Sequence, residues 1–274
     1  MDFLTTNKIL HKNQFGFQPG KNTNDAISLL TKHIYENLDL SKPSIGVFLD
    51  LSKAFDAVDH DILLSKMNIY GIRGVALDLF QSYLKNRTQC VEINNVLSNP
   101  SKISLGVPQG TILGPVLFLI YINDMFLRED GVVMVSYADD TVIYETGNTW
   151  EEVCKKVSKT LSLIKDWLDH NHLHLNISKT NFLCFSSNIR KHPSQLTSLK
   201  IHIPECHQNN CTCSMEIQKV YFTKYLGLFL DENLNWSKHT SNLCSKIRKL
   251  SYIFHTVKNL VDLNTCRTIY FSLI

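Results

Sequence analysis

The stretch Val132-Val-Met-Val-Ser-Tyr-Ala-Asp-Asp-Thr-Val-Ile-Tyr144 sets two β-branched runs, Val132 to Val135 and Thr141 to Tyr144, on either side of a polar pair. Such runs favour strands and the polar pair favours a reversal, so the segment predicts a hairpin with Asp139 and Asp140 at its tip. Asp suits turns because its carboxylate bonds nearby backbone amides, and a bare Asp-Asp pair needs no other explanation. Here, however, no Lys or Arg lies between Arg128 and Lys155 to offset the repulsion between neighbouring carboxylates. A hard divalent cation is the natural counter-charge. Mg²⁺ takes oxygen ligands, usually one or two carboxylates together with substrate phosphates, so a further carboxylate is to be sought elsewhere in the chain.

Upstream, Ile45-Gly-Val-Phe-Leu-Asp-Leu51 alternates as a strand with Asp50 near its C-terminal end. Gly46, Phe48 and Asp50 share one face; Val47, Leu49 and Leu51 share the other. An unpaired carboxylate is costly to bury in an apolar strand, so Asp50 either ends the strand in solvent or meets a cation. It is the candidate for the third acid. Between the two lies Gly106-Val-Pro-Gln-Gly-Thr-Ile-Leu-Gly-Pro115, a turn-rich loop before the apolar helix Val116 to Ile122. Gly110 and Gly114 would let the backbone approach a ligand, and Pro115 suits a first helical turn. The loop lacks the Lys-Ser/Thr ending of a P-loop, which argues against nucleotide hydrolysis of that type.

Around these, periodicity predicts helices from Asn22 or Thr23 to Leu38, from Val75 to Leu84, from Trp150 to Leu168 and from Ser241 to Asn259. Asp56 or Asp59 suits the N-cap of another helix carrying Ile62, Leu63 and Met67. Gln89 to Ile93 and Lys102 to Leu105 read as paired strands joined through Asn94-Asn95, and Thr180 to Phe185 and Tyr225 to Asp231 as further strands. Residues 186–214 read as an extended polar connection. With 274 residues and 44% hydrophobic content the chain can bury a substantial core. Its longest apolar run, Val116 to Ile122, is far short of the roughly 20 residues that span a bilayer. No membrane partner is expected. The start, Met1-Asp-Phe-Leu-Thr-Thr-Asn, lacks the basic and apolar regions of a signal peptide, so an intracellular protein is expected, in cytoplasm or nucleus. Eight cysteines scattered mostly through apolar segments suit reduced, buried thiols. The net charge is +3, but from Lys238 onward six basic residues stand against one acidic, a polyanion contact or a solvated helix face.

Phe48-Leu-Asp-Leu-Ser-Lys-Ala-Phe-Asp56, Gly106-Val-Pro-Gln-Gly110 and Tyr137-Ala-Asp-Asp140 resemble, in that order, the core motifs of reverse transcriptases, with wording closest to the non-LTR retrotransposon branch. Asn176-Ile-Ser-Lys-Thr180 and Tyr225-Leu-Gly227 resemble the two motifs that follow in that family. The resemblance implies an α+β fold: a right-hand polymerase palm with an antiparallel sheet and packed helices, partial fingers over 1–43, palm over 44–231 and the start of a thumb over 232–274. It implies RNA-directed DNA synthesis, with an RNA template, a DNA primer and dNTPs as partners and two Mg²⁺ ions, replaceable by Mn²⁺, as cofactors. Asp50, Asp139 and Asp140 would hold the metals, with the Leu51 backbone oxygen completing one shell. Phe55 would lie beneath the incoming sugar and block a 2′-hydroxyl, Gln109 and Gly110 would contact the nucleotide, and Lys179 would act near the pyrophosphate as charge stabiliser or general acid. Tyr225, Leu226 and Gly227 would grip the primer, and Lys246, Arg248 and Lys249 would track the nucleic-acid backbone.

The sequence departs from the family pattern at Gln18 and Lys21, where the family usually has Arg. A guanidinium fork is not replaced by an ammonium or an amide at a phosphate site. The family also carries a preceding fingers segment with a nucleotide-contacting Arg, and an endonuclease domain is not expected here. The rival expectation is therefore a catalytically inactive, truncated element fragment that retains nucleic-acid binding. An aspartic protease needs Asp-Thr/Ser-Gly signatures, which do not occur. His202, Cys206, His207, Cys211 and Cys213 cluster in a polar loop, at spacings that match no regular zinc finger.

Overall fold

A computed structural model describes residues 1–127, 131–187, 196–201 and 215–273. They divide into two compact units, Met1–Val220 and Tyr221–Ile274.

The first unit is built on a six-stranded sheet in the order Ser198–Ile201, Met215–Lys219, Asn181–Phe185, Ser44–Leu49, Asp140–Thr146, Val133–Tyr137. All neighbours are antiparallel except Asn181–Phe185 with Met215–Lys219, which run parallel. Met215–Lys219 and the edge strand Ser198–Ile201 arise just after and within the stretch expected as an extended polar connection, whereas Asn181–Phe185 is the strand expected there. Their signal is short alternation: Leu199 and Ile201 are buried while Lys200 is exposed, and Ile217 is buried between exposed Glu216 and Gln218.

The central strand Ser44–Leu49 is buried at every position. Ile45, Val47 and Leu49 join Ile143, Phe182 and Cys184 in one core with Val153, Val157, Leu161, Ile164, Trp167 and Leu168 of the Trp150–His170 helix. Those helix residues recur at three- and four-residue spacing, so one stripe covers the sheet, and each large apolar side chain contributes about 1.5–3 kcal/mol by leaving water. Thr149 caps this helix by accepting the Glu152 amide at 3.2 Å. The Thr23–Asp39 helix starts at a capping box, Asn22 with Asp25. Tyr144 ties it to the sheet, its hydroxyl bonding the Ser44 hydroxyl at 2.8 Å and the His33 carbonyl at 3.2 Å.

The apolar helix runs Leu113–Ile122, three residues longer at its start than Val116, because Gly114 and Pro115 both fit a first turn. The Lys66 ammonium, nearly buried, donates to the Tyr121 carbonyl at 2.6 Å and to Asp124 at 2.7 Å, so its charge is compensated. The exposed arm between residues 88 and 102 pairs as Thr88–Gln89 with Ser101–Lys102 and Glu92–Ile93 with Val96–Leu97. Asn94 and Asn95 make its tip, both at positive φ, whereas Ile103 to Leu105 lie beyond the ladder. Among the described cysteines only Cys184 is fully buried, and Cys90 and Cys244 are exposed, against the expectation of buried thiols.

In the second unit, Phe222–Tyr225 and Leu228–Asp231 form a hairpin rather than the single strand expected over Tyr225 to Asp231. Leu226 and Gly227 are its two turn residues, at φ 46° and 90°. That sign pattern is the type I′ turn that matches strand twist. The Asp231 carboxylate accepts the amides of Asn233, Asn235 and Trp236, turning the chain into the Ser237–Val257 helix, and Leu263–Leu273 follows. Among the described residues no helix is long and apolar enough to cross a membrane.

Candidate active site

Leu49 lies opposite Thr141 in the central strand pair, so Asp50 and Asp140 are the next residues outward on adjacent strands. Asp139 sits beside them in the hairpin turn. The turn is placed one residue earlier than expected: Tyr137 pairs with Asp140, so Ala138 and Asp139 form the tip and Asp140 begins a strand. Ala138 has φ 58°, the positive first position of a type II′ turn, where glycine is usual.

The Asp50 charge acts on both Asp139 and Asp140. Burial pushes the Asp139 carboxyl above the ordinary aspartate range, its own backbone amide pulling the other way and the Asp50 charge raising it further. Burial likewise raises Asp140, followed by the charges of Asp139 and Asp50. Among the described residues none of the three forms an ion pair with Lys, Arg or His. Oxygen donors alone, half in solvent and uncompensated, suit a hard divalent ion. Among the described residues no group of three or more His, Cys, Asp or Glu side chains is arranged to hold a metal ion by itself. A cation at these acids would need further oxygens from water or a ligand to complete its shell.

Two loops are moored to the Asp50 strand. The Asn176 amide donates to the Asp50 carbonyl at 2.8 Å, and Leu51–Ser52 pairs with His174–Leu175. The Asp50 amide donates to Thr180 Oγ1 at 3.2 Å, so the turn bearing exposed Lys179 hangs beside the acids. On the other side, Gly106 and Val107 donate to the carbonyls of Val58 and Phe55 at 2.7 and 2.9 Å. His60 Nε2–H donates to the Gly106 carbonyl at 2.8 Å. The Gln109 amide donates to Asp56 at 2.7 Å, while Asp59 is the residue that caps the His60–Ile69 helix. The half-buried Phe55 ring stacks on Phe118 at 4.3 Å and meets the edge of exposed Phe17 at 6.4 Å. Lys53, Asp56, Arg87 and Gln109 line a cavity of about 710 Å³ with the Gly106–Pro108 backbone.

A sequence model described as reverse transcriptase (RNA-dependent DNA polymerase) matches residues 1–230, most of this chain and all of these loops. The chain belongs to the reverse transcriptase family. Among curated relatives it is similar to the probable RNA-directed DNA polymerase from transposon BS of Drosophila melanogaster, 28% identical over 98% of this chain and 29% of that protein. It is also similar to the RNA-directed DNA polymerase from mobile element jockey of the same fly, 27% identical over 97% of this chain and 28% of the relative. The chain thus spans less than a third of these relatives' length. Telomerase from Candida tropicalis, solved with a fragment of telomeric RNA, shares the fold at a TM-score of 0.55 and 13% identity, over 85% of this chain and 36% of that one.

Within this reverse transcriptase core, two glycines of the loop are also set by the backbone itself. A Cβ on Gly114 would overlap the Pro108 carbonyl of its own loop, and Gly110 stands at φ 75° with no atom within 4 Å of such a Cβ. In the second unit, Tyr225 is buried and Leu226 and Gly227 occupy the hairpin turn, while Lys246, Arg248 and Lys249 lie exposed along the Ser237–Val257 helix. The His/Cys cluster at 202–213 lies outside the described residues. Sequence reading passed over Gln14, which is only 1% exposed and bonds the Ala138 turn, and offered Asp56 or Asp59 as the cap; Asp59 is the cap, and Asp56 is the partner of Gln109. The only hint of Gln14 lay in its Gly/Pro-punctuated aromatic loop.

Proposed function

We propose that this chain is the catalytic core of an RNA-directed DNA polymerase of mobile-element origin, transferring deoxynucleotides to a primer 3′-hydroxyl. The observation that carries the reading is the gathering of Asp50, Asp139 and Asp140, none of them in an ion pair with a basic side chain among the described residues, at the ends of two adjacent sheet strands in a chain of the reverse transcriptase family. Members of the family use divalent metals, which when bound make the primer hydroxyl a better nucleophile and neutralise the triphosphate. Asp50, Asp139 and Asp140, with the Leu51 carbonyl as a further oxygen, would hold the two Mg²⁺ ions.

Phe55, backed by Phe118, presents a ring that excludes a 2′-hydroxyl and so selects dNTPs. Gln109, oriented by Asp56, contacts the incoming nucleotide along with the Gly110 backbone. Lys179 supports the departing pyrophosphate by charge or by donating a proton. Tyr225, Leu226 and Gly227 hold the primer end, and Lys246, Arg248 and Lys249 meet backbone phosphates. RNA template and DNA primer are the partners this arrangement serves.

Primer extension on matched RNA and DNA templates with Mg²⁺ and dNTPs tests the reading. Extension that is abolished by Asp139→Asn supports it. Extension unaffected by that change removes the acids from the chemistry. No extension by the unmodified chain, with salt-sensitive nucleic-acid binding intact, would assign it a binding role only.

A further inference from the structure

Gln14 belongs to a segment that joins the open edge of the catalytic hairpin. The Phe15 amide donates to the Ser136 carbonyl at 2.7 Å and the Ser136 amide to the Asn13 carbonyl at 3.0 Å, a short parallel bridge along Val133–Tyr137. Between them the Gln14 side chain turns inward. Its Oε1 accepts the Ala138 amide at 3.0 Å and the Gly16 amide at 2.9 Å. Its Nε2 donates to Ser136 Oγ at 3.3 Å and to the Ala138 carbonyl at 3.4 Å. Ser136 Oγ in turn donates to the Ala138 carbonyl at 2.9 Å and lies 2.8 Å from the Thr141 hydroxyl. One buried amide therefore meets both backbone groups of the residue that precedes Asp139.

Ala138 needs such support. Its positive φ is strained for a residue with a Cβ and persists only where the surroundings over-determine it. Gly16 closes the arrangement, since a Cβ there would overlap the Ala138 amide. The Gln14 carbonyl is itself held by Gln18 Nε2 at 2.6 Å and by Lys21 Nζ at 2.7 Å. We propose that Gln14 is a positioning residue: it locks the Ala138–Asp139 turn and so aims the Asp139 carboxylate toward Asp50 and Asp140. The proposal rests on reading those acids as a metal-holding centre.

The test compares the full chain with Gln14→Ala, Gln14→Met and the double change Gln14→Ala with Ala138→Gly. Mn²⁺ binding is followed by electron paramagnetic resonance and Ala138 amide exchange by hydrogen–deuterium exchange. Gln14→Ala should weaken Mn²⁺ binding about tenfold, as loss of an outer partner of a metal ligand does, and should speed Ala138 exchange. Adding Ala138→Gly should restore most of the Mn²⁺ affinity, because glycine holds a positive φ without help. A residue that merely fills space gives no such rescue. Gln14→Met keeps the volume without the hydrogen bonds, and decides the matter if the Ala variant does not fold. Mn²⁺ affinity unchanged in Gln14→Met, or lost affinity that Ala138→Gly fails to restore, overturns the proposal. An unmodified chain that binds no Mn²⁺ defeats the metal-centre reading instead, and exchange at Ala138 with its rescue then decides the clamp alone.

Discussion

Gly106→Ala should be among the most damaging single-methyl additions in the first unit, because steric overlap and backbone conformation act there together. Gly106 stands at φ 88°, and a Cβ would lie 2.9 Å from the Asp56 carbonyl oxygen and 3.0 Å from Asp56 Cα. The positive φ costs about 1–2 kcal/mol for a residue with a Cβ. Asp56 is backbone, not a flexible side-chain end, so relief requires moving one loop from the other. That movement stretches the 2.7 Å bond from the Gly106 amide to the Val58 carbonyl, a loss of about 1 kcal/mol. The total comes to about 2–3 kcal/mol, in the upper range for a single substitution.

Gly110→Ala supplies the control, since Gly110 has a similar φ of 75° with no atom within 4 Å of the added Cβ. It should lose only the conformational part, about 1–2 kcal/mol. Urea unfolding should be followed by tryptophan fluorescence with Trp236 replaced by Phe, so that Trp150 and Trp167 report the first unit alone. Gly106→Ala should also raise the KM for dNTP, because Gln109 is carried on the displaced loop and loses its partner Asp56. Equal stability losses for the two glycines would refute the overlap argument.

Asp139→Asn should raise the urea midpoint of the metal-free chain at neutral pH while abolishing extension. Burial and the Asp50 charge raise the folded-state pKa of Asp139 above its unfolded value, so native stability falls as pH rises through that window and stays lower above it. The advantage of the variant should therefore vanish on acidification below the ordinary aspartate range, and an advantage that persists there would contradict the assignment. Phe55→Val should admit ribonucleotides and also destabilise the unit by about 1–3 kcal/mol, through lost burial and lost stacking on Phe118; unchanged sugar discrimination would make Phe55 a core residue only. Replacing Lys246, Arg248 and Lys249 with Ala should weaken duplex binding and flatten its decline with salt, and an unaltered slope would show a merely solvated helix face.

What was legible in the sequence is what local pattern controls. Alternation marked Ser44–Leu49 and Asn181–Phe185, and helical spacing marked Val75–Leu84 and Trp150–His170. The acids could be grouped because each lies at or next to a strand end within a recognisable motif. The hairpin tip was displaced by one residue for a nonlocal reason. Local propensity favours Asp-Asp in the turn, whereas Gln14, 124 residues earlier, supplies the partners that hold Ala138 at positive φ. Asp56 shows the same limit. Its sequence position suits a cap, but only the folded loop brings the Gln109 amide to it. Short strands such as Met215–Lys219 escaped because a single buried Ile217 is too little pattern to separate from a polar connection.

The residues at 18 and 21 can now be weighed by what they hold rather than by what they replace. Lys21 donates to the carbonyls of Lys12 and Gln14 and lies 5.0 Å from the centre of the Phe15 ring, and burial lowers its pKa. Gln18 donates to the same Gln14 carbonyl. Both side chains are thus engaged in fixing the backbone of the clamp segment. An ammonium with three donors can bond two convergent carbonyls, and an amide can share one of them, without the planar fork that a phosphate would favour. Under the proposed polymerase reading, Lys53 and Arg87 on the loop-lined cavity and exposed Lys179 near Asp50 would supply positive charge to a triphosphate. Gln18 and Lys21 thus serve here to fix the segment whose Gln14 bonds the turn that carries Asp139.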